Sequence, residues 1–132
     1  REGDRSLEEY SDHIIETFEN GKKTGPFQWY TSDGELIKSG HYKDGVLHGL
    51  WETYHDNGYL FSKGNYKGGK LIDLIEWYKN GQKKVEGTWK DGRREGVYTT
   101  YYKNGQKSSD ETFKDGKEIS STRWNEDGSL KG

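Results

Sequence analysis

The sequence predicts an all-β protein, an open, elongated, single-layer antiparallel β-meander of about five two-stranded hairpin repeats of 23–24 residues. Three observations lead to this fold. Turn-forming dipeptides recur in two interleaved series, and aromatic residues keep a constant distance from them. Ala is absent and Gly occurs 19 times, a composition that disfavours helices.

Two turns mark each repeat. The first-series turns are Asn20-Gly21, Asp44-Gly45, Gly68-Gly69, Asp91-Gly92 and Asp115-Gly116, and the second-series turns are Asp33-Gly34, Asn57-Gly58, Asn80-Gly81, Asn104-Gly105 and Asp127-Gly128. Asn-Gly and Asp-Gly favour type I′ hairpin turns, because both central residues of such a turn need positive φ. Each repeat is therefore predicted to hold two antiparallel strands, which gives about ten strands in all.

Aromatic residues follow the same period and are predicted to form a structural ladder. The first-series aromatics, three residues before the first turn glycine, are Phe18, Tyr42, Tyr66, Trp89 and Phe113. The second-series aromatics, four residues before the second turn glycine, are Tyr30, Tyr54, Trp77, Tyr101 and Trp124. Gly40, Gly64 and Gly87 lie two residues before a first-series aromatic, and a ring from a neighbouring strand is expected to cover each of them.

Composition excludes several classes of protein. Only 27% of the 132 residues are apolar, too few for a thick core, but 14% are aromatic and the net charge is only −2, which argues against disorder. Cys is absent, so disulfide scaffolds and zinc-thiolate sites are excluded. No apolar run is long enough to span a membrane. The balanced charge gives no reason to expect nucleic acid as a partner.

The third repeat is one residue shorter than its neighbours. The spacing places the missing residue between Asp73 and Gly81, so either Trp77 or Tyr78 could continue the second-series aromatics. We expect a β-bulge or a change of face there.

The N-terminal segment, residues 1–15, is assigned to a cap or a degenerate repeat, and the repeat array to residues 16–132. Ser6 and Glu9 fit the capping box of a short helix, whereas Leu7 and Tyr10 fit a degenerate repeat. The chain does not begin with Met, so we expect a processed or trimmed form. The compartment stays open between the cytoplasm and export to the periplasm.

The segments 40–58 and 87–105 resemble MORN repeats, in the variant common in bacterial proteins. The resemblance rests on Gly-His-Tyr-Lys-Asp-Gly and Gly-Thr-Trp-Lys-Asp-Gly, each followed by a further Gly, Tyr and Asn-Gly at matching positions. It covers about residues 16–128, in repeats that start near 16, 40, 64, 87 and 111. The resemblance implies an open twisted sheet with a shallow groove and no enzymatic centre. Bacterial members are commonly described as antitoxin-like or immunity-like partners of toxins.

No motif points to catalysis, a metal or a cofactor. His41, His48 and His55 are seven residues apart but fall at different positions of the repeat, so they need not converge on a metal ion. Asp residues before turn glycines are expected to stabilise the turns. Phosphate-binding loops and hydrolase motifs are absent from the sequence.

Aromatic residues outside the two series are the candidate binding residues. The six are Phe27, Trp29, Trp51, Phe61, Tyr98 and Tyr102. A one-layer sheet leaves a face uncovered, and exposed aromatic patches often mark binding surfaces. The alternative is that these rings pack against the stems of Lys and Arg side chains.

The leading functional hypothesis is a non-enzymatic protein–protein interaction module, an immunity or antitoxin-like protein that binds a toxin or effector through a sheet face. The alternative is a carbohydrate or cell-wall module of the choline-binding kind, in which aromatic cages hold a quaternary ammonium. A further alternative is a structural spacer or assembly segment. The expected partner is another protein, with neither nucleic acid nor membrane insertion, and open edge strands also allow self-association.

Overall fold

The computed structural model describes residues 12–132 and confirms the all-β antiparallel meander. One open sheet holds twelve strands: β1 (His13–Glu19), β2 (Lys22–Tyr30), β3 (Leu36–Lys43), β4 (Val46–Leu47), β5 (Gly49–Tyr54), β6 (Leu60–Lys67), β7 (Lys70–Trp77), β8 (Lys83–Lys90), β9 (Arg93–Arg94), β10 (Gly96–Tyr101), β11 (Lys107–Lys114) and β12 (Lys117–Arg123). Ten of them follow each other across the sheet in chain order. The two-residue strands β4 and β9 are the first parts of longer strands that a bulge divides, so the expected ten-strand path is present.

The first-series turns have the conformation that the sequence predicts. Asn20, Asp44, Asp91 and Asp115 have φ of 52–54°, and the glycines that follow them have φ of 78–85°. Both central residues are therefore left-handed, as a type I′ turn requires. Asn and Asp tolerate this region better than other residues with a side chain.

The second-series turns differ from this expectation. Their glycines have positive φ, but Asn57 and the equivalent Asn or Asp residues do not. The side chain closes the turn instead, because Asn57 Oδ1 accepts a hydrogen bond from the Tyr59 amide at 3.0 Å. The same bond recurs at 2.9 Å from Gln82 to Asn80 Oδ1. In these turns the Asn acts through its side chain, as in an Asx-turn.

The third repeat carries its irregularity earlier than predicted. Leu74 is opposite Gly87 of the following strand, just as Trp51 is opposite Gly64 of the strand that follows it. Leu74 is also opposite Gly64 of the preceding strand, so Leu74 and Trp51 occupy equivalent positions in their repeats. Leu74 lies seven residues before Gly81, as Trp51 lies seven before Gly58, so nothing is missing after Asp73. The shortfall lies before Asp73, at the bulge where the β6–β7 register shifts. The assignment to the segment after Asp73 is therefore wrong, and Trp77 holds the second-series position.

Three further glycines, Gly25, Gly49 and Gly96, lie at β-bulges that follow the first-series turns. Gly25, Gly49 and Gly96 have φ of 72°, 72° and 82°, and each lies at the bulge of its strand. In the third and fifth repeats the strand has one residue fewer between its two turns, and this glycine is absent there. Glycine is needed where the bulge demands positive φ.

The strand register assigns the aromatics to faces, because directly opposed residues of an antiparallel pair share a face. Phe27 is opposite Gly40, and Trp51 is opposite Gly64. Tyr42 lies two residues beyond Gly40 on the same face, whereas Tyr54 lies three beyond Trp51 and points to the other. We call the face that carries Gly40 and Tyr42 the ring face, and the face that carries Tyr54 the opposite face. The ring face holds the first-series aromatics together with Phe27, Trp51 and Tyr98.

Burial within the described residues is thin, as a single-layer sheet predicts. Phe27, which is 7% exposed, and Trp51, which is 4% exposed, are the buried hydrophobic residues. No helix of the described residues has the length and apolar character needed to cross a membrane. The assignment of residues 1–15 to a cap or degenerate repeat lies largely outside the described residues, although β1 already begins at His13.

Candidate interaction site

The first ring cluster on the ring face consists of Phe27, Tyr42 and Trp51. The Trp51 centroid lies 5.4 Å from that of Phe27 and 5.0 Å from that of Tyr42. The Trp51 ring covers Gly40, where a Cβ atom would come within 2.1 Å of ring carbon Cδ2. Its Nε1 donates a hydrogen bond of 3.0 Å to the His41 carbonyl. The cluster is thus fixed by ring contacts, a bare glycine and a directed hydrogen bond.

A second cluster repeats the arrangement further along the sheet. The Trp89 and Tyr98 ring centroids are 6.1 Å apart. The Tyr98 ring covers Gly87, where an added Cβ atom would come within 2.6 Å of Tyr98 Cδ1. The Arg94 guanidinium carbon lies 4.1 Å from the Tyr98 centroid and 5.3 Å from that of Phe113. Rings therefore cover Gly40 and Gly87 as predicted, but the covering rings, Trp51 and Tyr98, lie outside the two aromatic series.

One recurrence in the sequence could have identified the covering residues. Phe27, Trp51 and Tyr98 each lie seven residues before the second turn glycine. Leu74 holds this position in the third repeat and interrupts the aromatic series. The expectation that a ring covers Gly64 is therefore wrong, because an added Cβ there would meet leucine atoms, Leu71 Cδ1 at 3.1 Å and Leu74 Cδ1 at 3.5 Å.

Cationic side chains lie over several of these rings. Lys23 Nζ lies 5.0 Å from the Tyr42 centroid and 5.8 Å from that of Phe27. Lys38 Nζ lies 5.4 Å from the Trp51 centroid. These are the distances of cation–π contacts. The alternative interpretation of the off-series aromatics, packing against Lys and Arg side chains, thus describes several of them.

The edge formed by the second-series turns is tied together from one repeat to the next. The side-chain amides of Asn57, Asn80 and Asn104 donate to the carbonyls of Lys79, Lys103 and Glu126 at 2.9, 2.8 and 2.9 Å. The Tyr78 and Tyr102 hydroxyls donate to the carbonyls of Tyr101 and Trp124, both at 2.7 Å, and His55 Nε2 lies 2.8 Å from the Trp77 carbonyl oxygen. Each residue reaches 22 or 23 positions along the chain. Sequence reasoning missed these links, although the recurring Asn was visible.

The six candidate binding residues do not form one patch. Phe27 and Trp51 are buried in the first ring cluster and Tyr98 belongs to the second. Trp29 donates from Nε1 to Asp12 at 3.0 Å, and the Phe61 ring lies 5.0 Å from His55. Tyr102, the sixth, is one of the inter-repeat links. Their binding role stays a prediction.

The opposite face carries carboxylates paired with hydroxyls and lysines. Tyr101 Oη donates to Glu86, which also bonds Lys83 Nζ at 3.2 Å. Burial, followed by the Glu86 hydrogen bond, raises the pKa of Tyr101 to about 12. The Tyr101 hydroxyl lowers the pKa of Glu86. Asp110 is held in the same way, with Thr99 Oγ1 at 2.7 Å and Lys107 Nζ at 3.2 Å. These bonds connect β10 to its two neighbours, β8 and β11.

Among residues 12–132 there is no group of three or more His, Cys, Asp or Glu side chains that could hold a metal ion. His55 is bound to a backbone carbonyl. His41 lies within β3, and His48 lies at the bulge between β4 and β5.

One pocket combines aromatic walls with lysines, and we call it the lysine pocket. It has a volume of about 400 Å³ and is lined by His55, Phe61, Trp77, Tyr78, Lys79, Asn80, Lys84 and Lys103. It lies along the second-series edge, between turns that the Asn side chains connect.

The single sheet of repeated hairpins, with rings on one face and linked turns along one edge, defines a β-hairpin repeat protein. The family model described as MORN repeat variant matches residues 23–44, 47–67, 73–91 and 94–115, which together make up more than half of the chain. The chain belongs to the MORN repeat variant family. Each match spans the two strands joined by a second-series turn, so the family unit is this hairpin and the chain holds four of them. MORN repeats are generally protein-interaction modules and typically non-catalytic. Comparison with curated proteins gave no match.

Proposed function

We propose that this protein is an immunity or antitoxin-like module that binds a toxin or effector protein through the ring face of its sheet. The observation that supports this is that residues 12–132 form a single layer, which leaves the rings of the ring face without a second layer from these residues. Tyr42, Trp89, Tyr98 and Phe113 are only partly buried, and Phe18 is 57% exposed. A partner that covers this face would remove aromatic surface from water, which is the main source of affinity in interface cores.

The ring face is also prepared for binding because its rings are held in place before a partner arrives. Trp51 is locked by the His41 carbonyl and by Gly40, and Tyr98 lies between Gly87 and Arg94. Preorganised side chains lose little conformational entropy on binding. The buried rings support the face, and the half-exposed rings beside them meet the partner.

The choline-binding alternative has less support from the geometry. A quaternary ammonium needs open ring faces, but Lys23, Lys38 and Arg94 already lie over the rings of both clusters. A choline or glycan titration that left the tryptophan fluorescence unchanged would fit the protein-binding proposal.

The test is capture of the product of a neighbouring gene, combined with protection of cells that express it. Replacing Phe18 and Phe113 by serine should weaken capture about tenfold or more, since each ring contributes on the order of 1 kcal/mol at an interface. Val97→Ser is the control, because Val97 is 52% exposed but points to the opposite face, next to Tyr98 in β10. It should leave binding nearly unchanged.

Two results would contradict the proposal. One is that no neighbouring product binds and deletion of this gene costs no protection. The other is that the Val97 variant loses as much affinity as the ring-face variant, because the ring face would then have no special role.

A further inference from the structure

The lysine pocket has fixed aromatic walls. The Phe61 and His55 rings meet edge to face with centroids 5.0 Å apart, and His55 is bound to the Trp77 carbonyl at 2.8 Å. Tyr78 is held by its hydroxyl, which donates to the Tyr101 carbonyl at 2.7 Å. An apolar group that enters between these rings would therefore meet a preformed surface.

The pocket is also electropositive. Lys84 Nζ and Lys103 Nζ, from different repeats, lie 5.7 Å and 5.9 Å from the centroid of the same Tyr78 ring. Neither lysine forms an ion pair with the described residues, whereas Lys79 at the rim pairs with Asp56 at 3.3 Å. No carboxylate is among the residues that line the pocket. A cation–π contact at an exposed site stabilises by only about 0.5–1 kcal/mol, so these two ammonium groups remain available to an anion.

The dimensions fit an extended peptide. The second-series turns that border the pocket are two strands apart in the sheet, and two strand spacings amount to about 10 Å. Three successive turns therefore span about 20 Å, the length of about six extended residues.

We propose that the lysine pocket binds an acidic segment of the partner protein. An apolar side chain of the segment lies between Phe61 and Tyr78, and the flanking carboxylates bind Lys84 and Lys103. This inference rests on the proposed function and deepens it, because it names the chemistry of the segment that docks at a second surface, the edge of the sheet. The ring face and the edge then contact different parts of one partner.

The probe is the synthetic peptide acetyl-Glu-Glu-Leu-Glu-Glu-amide, titrated into ¹⁵N-labelled protein. We expect amide shifts concentrated at residues 55–61, 77–84 and 103, and binding that weakens as salt is raised. Lys84→Gln with Lys103→Gln should reduce the affinity about tenfold, since two exposed charge pairs are lost. The matched control is Lys67→Gln with Lys114→Gln, which removes the same charge from exposed positions next to first-series turns. It should leave the affinity nearly unchanged.

Several outcomes would overturn the inference. They are equal binding of the peptide with Gln in place of each Glu, an equal loss of affinity in the control variant, the same shifts with inorganic phosphate alone, or no binding at about 10 mM peptide. The proposed function is judged separately. If the captured partner binds the Lys84/Lys103 variant as tightly as the original protein, the pocket proposal fails while the interaction module stands. If the peptide binds the pocket but no neighbouring product is captured, the toxin-binding proposal fails instead.

Discussion

Alanine at position 40 should displace the Trp51 ring from the sheet. A Cβ atom built on Gly40 lies 2.1, 2.3 and 2.5 Å from Trp51 Cδ2, Cε2 and Cε3, well inside van der Waals contact. The contact involves the rigid fused ring, so no flexible end can swing away. The ring must move as a whole, and it then loses its hydrogen bond to His41 and its packing on Phe27 and Tyr42.

The magnitude follows from these contacts. Overpacking of this kind costs about 1–3 kcal/mol, and the lost indole hydrogen bond adds about 1 kcal/mol. Alanine also lowers the conformational entropy of the unfolded chain, which stabilises the folded protein by about 0.4–1 kcal/mol. Gly40 does not have positive φ, so no backbone strain is added. The free energy of unfolding should therefore fall by about 2–3 kcal/mol.

Two other glycines provide a graded comparison. At Gly87 an added Cβ lies 2.6 Å from Tyr98 Cδ1, and the partly exposed Tyr98 ring can yield, so the expected loss is about 1–2 kcal/mol. At Gly64 the nearest atom is the end of the flexible Leu71 side chain at 3.1 Å, and the Asp73 carbonyl oxygen and Leu74 Cδ1, at 3.4 and 3.5 Å, are at ordinary contact distance, so the change should stay within about 0.5 kcal/mol. Urea unfolding followed by tryptophan fluorescence measures all three. If Gly40→Ala were no more destabilising than Gly64→Ala, the ring would not rest on the glycine.

Three further predictions concern the edge, the opposite face and the shape of the molecule. Asn80→Asp keeps the bond to the Gln82 amide but loses the donor to the Lys103 carbonyl, so urea unfolding should show a loss of about 1–2 kcal/mol. Glu86→Gln should lower the pKa of Tyr101 from about 12 toward 10.0 without reaching it, because burial remains the largest cause; NMR titration of labelled tyrosine measures this. Small-angle scattering should give a radius of gyration clearly above the value of about 14 Å for a compact chain of this length.

Each of these has its own control. Asn20→Asp should cost little, because Asp occupies three of the equivalent first-series turns with the same φ. An equal loss at Asn20 would show that the inter-repeat bond is not the cause. Glu86→Gln should leave the pKa of Tyr54 in place, since Glu52 and not Glu86 is its neighbour. An unchanged pKa for Tyr101 would contradict the assigned hydrogen bond, and a radius near 14 Å would contradict the open meander.

The pH dependence of stability follows from the same pair. The pKa of Glu86 is lowered from 4.5, so its contribution is present above pH 4.5 and is lost as the pH falls through the lowered value. The pKa of Tyr101 is raised from 10.0, so its contribution is complete below pH 10.0 and disappears as the pH rises toward about 12.

The topology could be predicted from the sequence because turn geometry is a local property. Asp44-Gly45 and its equivalents need positive φ whatever surrounds them, and their spacing alone fixes the order of the strands. The family resemblance rests on the same short-range pattern. The edge links could not be predicted as easily, because the Asn80 side chain meets a carbonyl 23 residues away.

The ring clusters could not be predicted because they depend on register. Bulges at Gly49 and Gly96 shift the pairing of the following strands and decide which ring lies over which glycine. Spacing therefore could not show which rings cover the glycines, and it placed Trp51 among the binding candidates. The lysine pocket depends on side chains from several hairpins and has no signature in a single repeat.

The connections between hairpins have a consequence for how the molecule comes apart. Substantial contacts among the described strands join only neighbours in the sheet, through rings on one face and Asn side chains along one edge. The stability of such a chain is approximately the sum of the stabilities of its hairpins and of the contacts between neighbouring hairpins. Among the described strands, opening should therefore start at β1 or β12 and proceed hairpin by hairpin, so that amide hydrogen exchange is slowest in the central strands. Damage near Trp51 would leave the distant Trp89–Tyr98 cluster intact.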